Sequence, residues 1–178
     1  FKRLFSARNR RLLIGYASDG AQTSVATIIW PVFIFELLHG EYIVVGLVTT
    51  VSLVIILILN IILGFWIDKV GHKRVLELGT IFSVSGWILK SLVSSPFQVF
   101  ATDTYYKFGD SITRLSKNVA GYGSAAENGH YIDEYTTLAE LSHRMGHIFI
   151  LVLSAIILSF FGVHIVFIMT AVIASGLI

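Results

Sequence analysis

Five ionisable residues in the middle of this chain sit at a spacing that can do chemistry. Asp103, Lys107, Asp110, Arg114 and Lys117 follow one another in steps of 4, 3, 4 and 3. On a helix those steps stack all five on one stripe, while Ala101, Tyr105, Phe108, Ile112, Leu115 and Val119 form an opposing apolar stripe. Asp103, Lys107 and Asp110 are candidates for holding a polar solute. The same i, i+4 and i, i+3 spacing also lets them neutralise one another within the helix. Arg114 and Lys117 read as anchors near a membrane surface. A second candidate pair, Asp19 and Gln22, interrupts an apolar stretch one helical turn apart. A carboxylate there is costly to ionise unless paired, which suits solute or proton binding; the plainer reading is an interhelical hydrogen bond, for instance to Lys107. Tyr105, Tyr106 and Trp87 offer rings for stacking on an organic solute, or for packing.

Glu140, His143 and His147 share one helical face and show both E-x-x-H and H-x-x-x-H spacing. Bundled di-metal sites need two such helices and further carboxylates, and a zinc protease needs glutamate directly after the first histidine, where Arg144 stands. The preferred reading is a Glu140–Arg144 pair with the histidines packed beside it. No metal, cofactor or enzymatic activity is expected, and no soluble basic face points to nucleic acid.

The elements that must position these residues are membrane helices. Apolar residues make up 55% of the 178 positions and charged residues 13%, with a mean hydropathy of +0.79; a soluble domain carries about 25% charged residues. The chain has no cysteine, which removes disulfides, thiolate metal sites and cysteine nucleophiles. A bilayer core about 30 Å thick takes roughly 20 apolar residues per helix. The expected fold is all-α and polytopic, a six-helix transmembrane bundle with helices over about 12–38, 42–67, 75–93, 97–119, 138–161 and 163–178. Pro31 should kink the first. The second, about 39 Å long, must tilt or protrude. The fourth escapes a hydropathy scan because of its charged stripe. A charge facing lipid at mid-bilayer costs about 3 kcal/mol, so that stripe must face protein or water. The start carries Lys2, Arg3, Arg8, Arg10 and Arg11 and the 68–74 hairpin carries Lys69, Lys73 and Arg74, which places both on the cytoplasmic side. Lys90, near the outer end of the third helix, is the exception to this bias. Residues 118–137 read as a cytoplasmic connection. The net charge of +2 is small, no targeting segment is evident, and the chain is expected to continue past both ends.

Between the second and third helices runs Gly64-Phe65-Trp66-Ile67-Asp68-Lys69-Val70-Gly71-His72-Lys73-Arg74. It resembles the major facilitator superfamily signature G-x-x-x-D-R/K-x-G-x-R/K-R/K, at the place and on the side where that signature belongs. Gly64 permits close helix approach, Gly71 allows a tight turn, Asp68 can face a helix N-terminus or a basic neighbour, and Lys69, Lys73 and Arg74 hold the inner surface. The resemblance covers the first six helices of a family whose usual member has twelve, in two halves around a central cavity. It implies that helices 1, 2, 4 and 5 approach the cavity while 3 and 6 lie outside. It also implies that Asp68 engages an opposite half. Lys107-Phe108-Gly109 and Arg114 depart from the arginine and glycine-rich run that the family often uses for proton coupling in helix 4.

The reading is therefore a secondary active transporter of a small solute by alternating access, with proton coupling an option, in the plasma (inner) membrane with a cytoplasmic N-terminus. Its implied partners are lipid, the solute, and a second six-helix half or a homodimer partner. Asp19, Gln22, Asp103, Tyr106, Lys107 and Asp110 are the expected solute or proton contacts. The alternative is a non-transporting membrane scaffold or receptor-like protein with the same fold.

Overall fold

The computed structural model describes residues 7–70, 72–127 and 132–175. Among these every regular element is a helix and there is no strand. The first helix, α1, comprises Ala7–Ser24, a π-helical turn Val25–Ile29 and Trp30–Leu37. Pro31 explains the wide turn. It has no N–H to give to the carbonyl four residues back, and its ring would strike that carbonyl in a regular helix, so the backbone opens in the turn just before it. α1 stops where His39 and Gly40 take φ of 53° and 81°. Gly40 N–H closes the end on the Phe35 carbonyl at 2.9 Å, a glycine-terminated helix end.

The remaining helices are α2 (Tyr42–Val70), α3 (His72–Lys90), α4 (Pro96–Glu127), α5 (Ile132–Phe160) and α6 (Val163–Ser175). α4 begins as its sequence Ser95-Pro96-Phe97-Gln98 directs. Proline occupies the first helical position, where no N–H is needed, and Gln98 N–H reaches Ser95 Oγ while Gln98 Oε1 accepts from Ser94 N–H at 2.8 Å. At its far end α4 runs on to Glu127, past Val119; the segment between contains no proline and is rich in alanine, which favours helix.

Among the described residues, three stretches are long and apolar enough to cross a membrane: Leu13–Leu37, Tyr42–Leu63 and Thr136–Phe160, with Val163–Ser175 apolar but shorter. Burial differs from that of a soluble protein in that large apolar side chains cover the outside as well as the core, and several polar ones are inside. Leu57, Ile58, Ile61 and Ile62 on α2 and Ile148, Phe149, Val152 and Ile156 on α5 point outward, while Gln22, Ser24, Thr80, Lys90, Asp103 and Thr113 are inside. Such a surface is matched to lipid, where outward apolar side chains cost nothing and polar groups must find partners within the protein.

α3 packs along α4, α1 along α5, α2 against α4, and α6 against α1 and α3. In lipid, helices associate through close packing rather than hydrophobic exclusion, so small residues mark the seams. On the α1–α5 seam, a Cβ on Gly20 would overlap the His143 carbonyl and one on Gly146 would overlap the Ala17 carbonyl. On the α3–α4 seam, Gly109 lies so close to Phe82 that a Cβ there would approach it to 2.5 Å. The centre is aromatic: Phe167 meets Trp30, Phe33 and Trp87 at centroid separations of 5.5, 5.3 and 5.9 Å.

Candidate functional site: a charged cleft and a buried lysine

The charged stripe of α4 faces a cleft of about 320 Å³ between α1, α2, α3 and α4. Asp103, Tyr106, Lys107, Asp110, Ser111 and Arg114 line it from α4, Thr23, Ala26 and Thr27 from α1, Leu53 and Ile56 from α2, and Lys90 from α3. Two i, i+4 ion pairs organise the stripe, as the spacing allows. Lys107 Nζ lies 2.6 Å from Asp103 Oδ2, and Arg114 Nε lies 3.3 Å from Asp110 Oδ2. The two pairs differ in access. Asp103 is 5% exposed, whereas Asp110 is 25% and Arg114 56% exposed. Arg114 thus borders the cleft, where the sequence suggested a surface anchor.

Asp103 gathers more than its helical neighbour. Its Oδ1 accepts from Trp30 Nε1 at 2.9 Å and from Lys90 Nζ at 3.1 Å. Lys90, which the sequence put near the outer end of its helix as an exception to the charge bias, is fully buried. Its ammonium lies 4.2, 4.8 and 4.1 Å from the ring centroids of Trp30, Trp87 and Tyr106. An ammonium inside a bundle is tolerable only with an anion and with π faces to replace water, and this site supplies both. The signal in the sequence is the pair Trp87 and Lys90, one turn apart on one face of an apolar segment. α3 contributes to the cleft through Lys90, although the resemblance implied that helix 3 lies outside it.

The other expected contacts divide between two places. Tyr106 lines the cleft and packs on Trp87 at 4.8 Å between centroids. Gln22 is buried and its Oε1 accepts from Trp87 Nε1 at 3.3 Å, so it braces the aromatic cage from behind. Asp19 faces α5 instead, with Oδ2 3.5 Å from His143 Nδ1. His143 and His147 meet through their Nε2 atoms at 3.0 Å, and Ser24 Oγ lies 2.6 Å from His147 Nδ1. Glu140 and Arg144 form the expected pair at 2.8 Å. No group of three or more metal-ligating side chains occurs among the described residues.

Of the loop motif, Arg74 is exposed. Gly71, the surroundings of Gly64, and the side chains of Asp68, Lys69 and Lys73 lie outside the described residues.

Residues 12–104 match the family model of the Major Facilitator Superfamily. No curated protein and no solved structure matches the chain.

Proposed function

Because this chain belongs to the major facilitator superfamily, an integral membrane family of transporters, we propose that it carries a small polar or charged solute across the plasma (inner) membrane by secondary active, alternating-access transport. In this reading all six helices cross the bilayer, the N-terminus and the 68–74 loop are cytoplasmic, and α4 faces a central path. Asp103, Lys107, Asp110 and Tyr106 contact the solute, with Lys90 and Arg114 setting the charge around them. A second six-helix body, either another half of a longer chain or a second copy, supplies the opposing wall, since rocking needs something to rock against.

The observation that carries the reading is the cleft itself. Five charged side chains from two helices converge on one opening. A bundle whose only task is to stay folded in lipid gains little from such a cluster, because buried ion pairs seldom stabilise more than an apolar replacement would. Intramembrane charges instead mark ion and solute pathways.

The test is uptake by proteoliposomes across panels of small charged and polar solutes, comparing wild type with Asp110→Asn at equal amounts of inserted protein. Transport should fall at least about tenfold in the variant, the effect of losing roughly 1.4 kcal/mol of interaction, while insertion stays unchanged. Parallel loss of inserted protein and uptake would show that Asp110 is structural.

A further inference from the structure

The cleft on α4 is richer in hydrogen-bond donors than in acceptors. Lys90, Lys107 and Arg114 line it with three positive charges, and Asp103 and Asp110 with two negative ones. Both carboxylates are already engaged by cations of the protein. Asp110 Oδ2 holds Arg114 Nε at 3.3 Å. Asp103 serves two lysines at once: Oδ1 accepts from Lys90 Nζ at 3.1 Å and from Trp30 Nε1 at 2.9 Å, and Oδ2 lies 2.6 Å from Lys107 Nζ. One positive charge is therefore left over where Lys90 and Lys107 share a single anion. Lys90 is fully buried, whereas the Lys107 side chain is 23% exposed, so it is at Lys107 that the surplus can be met from the cleft.

The uncharged groups around Lys107 have hydrogens to give as well. An ammonium carries three hydrogens, and among the described contacts Lys107 is bonded to Asp103 alone. Tyr106, its neighbour in sequence, lines the cleft and is 3% exposed, yet its hydroxyl has no hydrogen-bond partner among the described residues. The hydroxyls of Ser111, one turn after Lys107, and of Thr23 on α1 line the same cleft and are likewise without a partner among the described residues.

We infer that the cleft recognises a small organic monoanion, with its oxyanion head on Lys107 Nζ and its carbon body against Ala26, Leu53 and Ile56. Charge decides the sign of the solute. A surplus cation inside a membrane protein is costly, an incoming anion removes that cost, and an incoming cation adds to it. The place where an organic cation would find aromatic faces is also taken, because the Lys90 ammonium itself lies 4.2, 4.8 and 4.1 Å from the ring centroids of Trp30, Trp87 and Tyr106. Hydrogen bonding agrees with charge. An oxyanion only accepts, and the groups left over at this cleft are donors. Size follows from the volume of about 320 Å³, at the small end of ligand pockets. The carbon body has Ala26, Leu53 and Ile56 to lie against on α1 and α2.

This names the solute class of the transport reading and rests on that reading for passage across the membrane; binding does not, so binding is tested by itself. The probes are butyrate and propanesulfonate, which are anions with short carbon bodies, and butyramide and butylammonium, which carry a neutral and a cationic head. The readout is the thermal unfolding midpoint of the full chain in phosphatidylcholine nanodiscs at constant ionic strength, which rises with occupancy of a site on the folded protein. Both anions should raise it, and butyramide and butylammonium should not. Lys107→Gln should weaken butyrate at least about tenfold, through loss of a hydrogen bond to a charged group; Asp103 keeps Lys90 and Trp30 in this variant. Equal shifts from butyrate and butylammonium, no shift with either anion, or undiminished butyrate binding by Lys107→Gln would overturn the inference. Loss of the butyrate shift in wild type when the disc contains phosphatidylglycerol would assign the head site to a lipid phosphate and refute a soluble anion. Proteoliposomes that carry neutral or cationic solutes but no anion would refute the anion and leave transport standing. Butyrate bound through Lys107, with no solute carried in any panel, would instead sink the transport reading and leave the site.

Discussion

The buried Lys90–Asp103 contact allows a quantitative test by a double-mutant cycle. Asp103→Leu removes the only anion within hydrogen-bond distance of Lys90 among the described contacts, leaving an ammonium fully buried among Trp30, Trp87 and Tyr106. Breaking a buried pair from one side costs about 3–5 kcal/mol. For a chain of this size, 1 kcal/mol moves Tm by about 2–4 °C, so the variant should melt roughly 6–20 °C lower. Lys90→Met should cost less. It removes one charge-assisted hydrogen bond and the cation–π contacts, but Asp103 keeps Lys107 at 2.6 Å and Trp30 at 2.9 Å, and the methionine fills the space without needing an anion. A loss of up to about 2 kcal/mol is expected. Combining the two replaces the pair by apolar groups of similar size, which is often neutral. The double variant should therefore be more stable than Asp103→Leu alone, with a coupling of at least about 2 kcal/mol. The assay is thermal or denaturant unfolding in one fixed micelle. Additivity within about 0.5 kcal/mol, the behaviour of independent sites, would refute the idea that Asp103 holds Lys90 in the interior.

The α1–α5 seam predicts a contrast between glycines. Gly146→Ala drives a methyl into the Ala17 carbonyl and should cost about 1–3 kcal/mol, whereas Gly46→Ala, with nothing within 4 Å, should be neutral or stabilise by up to about 1 kcal/mol; unfolding of the two in the same micelle compares them. The absence of native cysteine makes topology directly readable: an impermeant thiol reagent should label Glu41→Cys from outside only and His72→Cys from inside only, and labelling of both from one side would break the six-crossing reading. Finally, the proposed alternating access calls for a second body, so native mass measurement of the transporting species in nanodiscs should find the mass of twelve helices; a monomeric six-helix protein that still transports would contradict alternating access around a shared cavity.

What the sequence makes legible here are relations within a single helix. The period of α4 shows that Asp103, Lys107, Asp110 and Arg114 share a face, and the pairs Lys107–Asp103 and Arg114–Asp110 follow from i, i+4 spacing alone. The lipid-facing composition is equally local, since it depends on the solvent rather than on the neighbours. Contacts across helices are another matter. Trp30 and Asp103 are 73 positions apart and Ser24 and His147 are 123 apart, and no period links them. Asp19 illustrates the difference: its place inside a membrane helix is evident from the apolar residues around it, but whether it meets Lys107 on α4 or His143 on α5 depends on how α1 is rotated, which the Gly20 and Gly146 contacts decide. Lys90 is obscured for a related reason. A lysine in the last turn of an apolar helix fits an interfacial anchor as well as a buried cation, and only the arrival of Trp30 and Asp103 from other helices separates the two. Pro31 announces a local disturbance of α1, but not that the helix widens into a π turn there.

That π turn bears on how the two polar clusters can influence one another. α1 is bonded on two sides. Toward α5 it offers Asp19 and Ser24, both before the wide turn; toward α3 and α4 it offers Gln22 before the turn and Trp30 directly after it. A regular helix would tie these contacts into one rigid register. The turn Val25–Ile29 separates the serine that meets His147 from the tryptophan that holds Asp103, and π turns tolerate local adjustment at functional sites. A shift of the turn would in turn alter the Trp30 hydrogen bond at the cleft, and with it the anion that holds Lys90. Both clusters therefore bond to the same helix, on either side of one wide turn, so a displacement at one would be carried to the other through that turn.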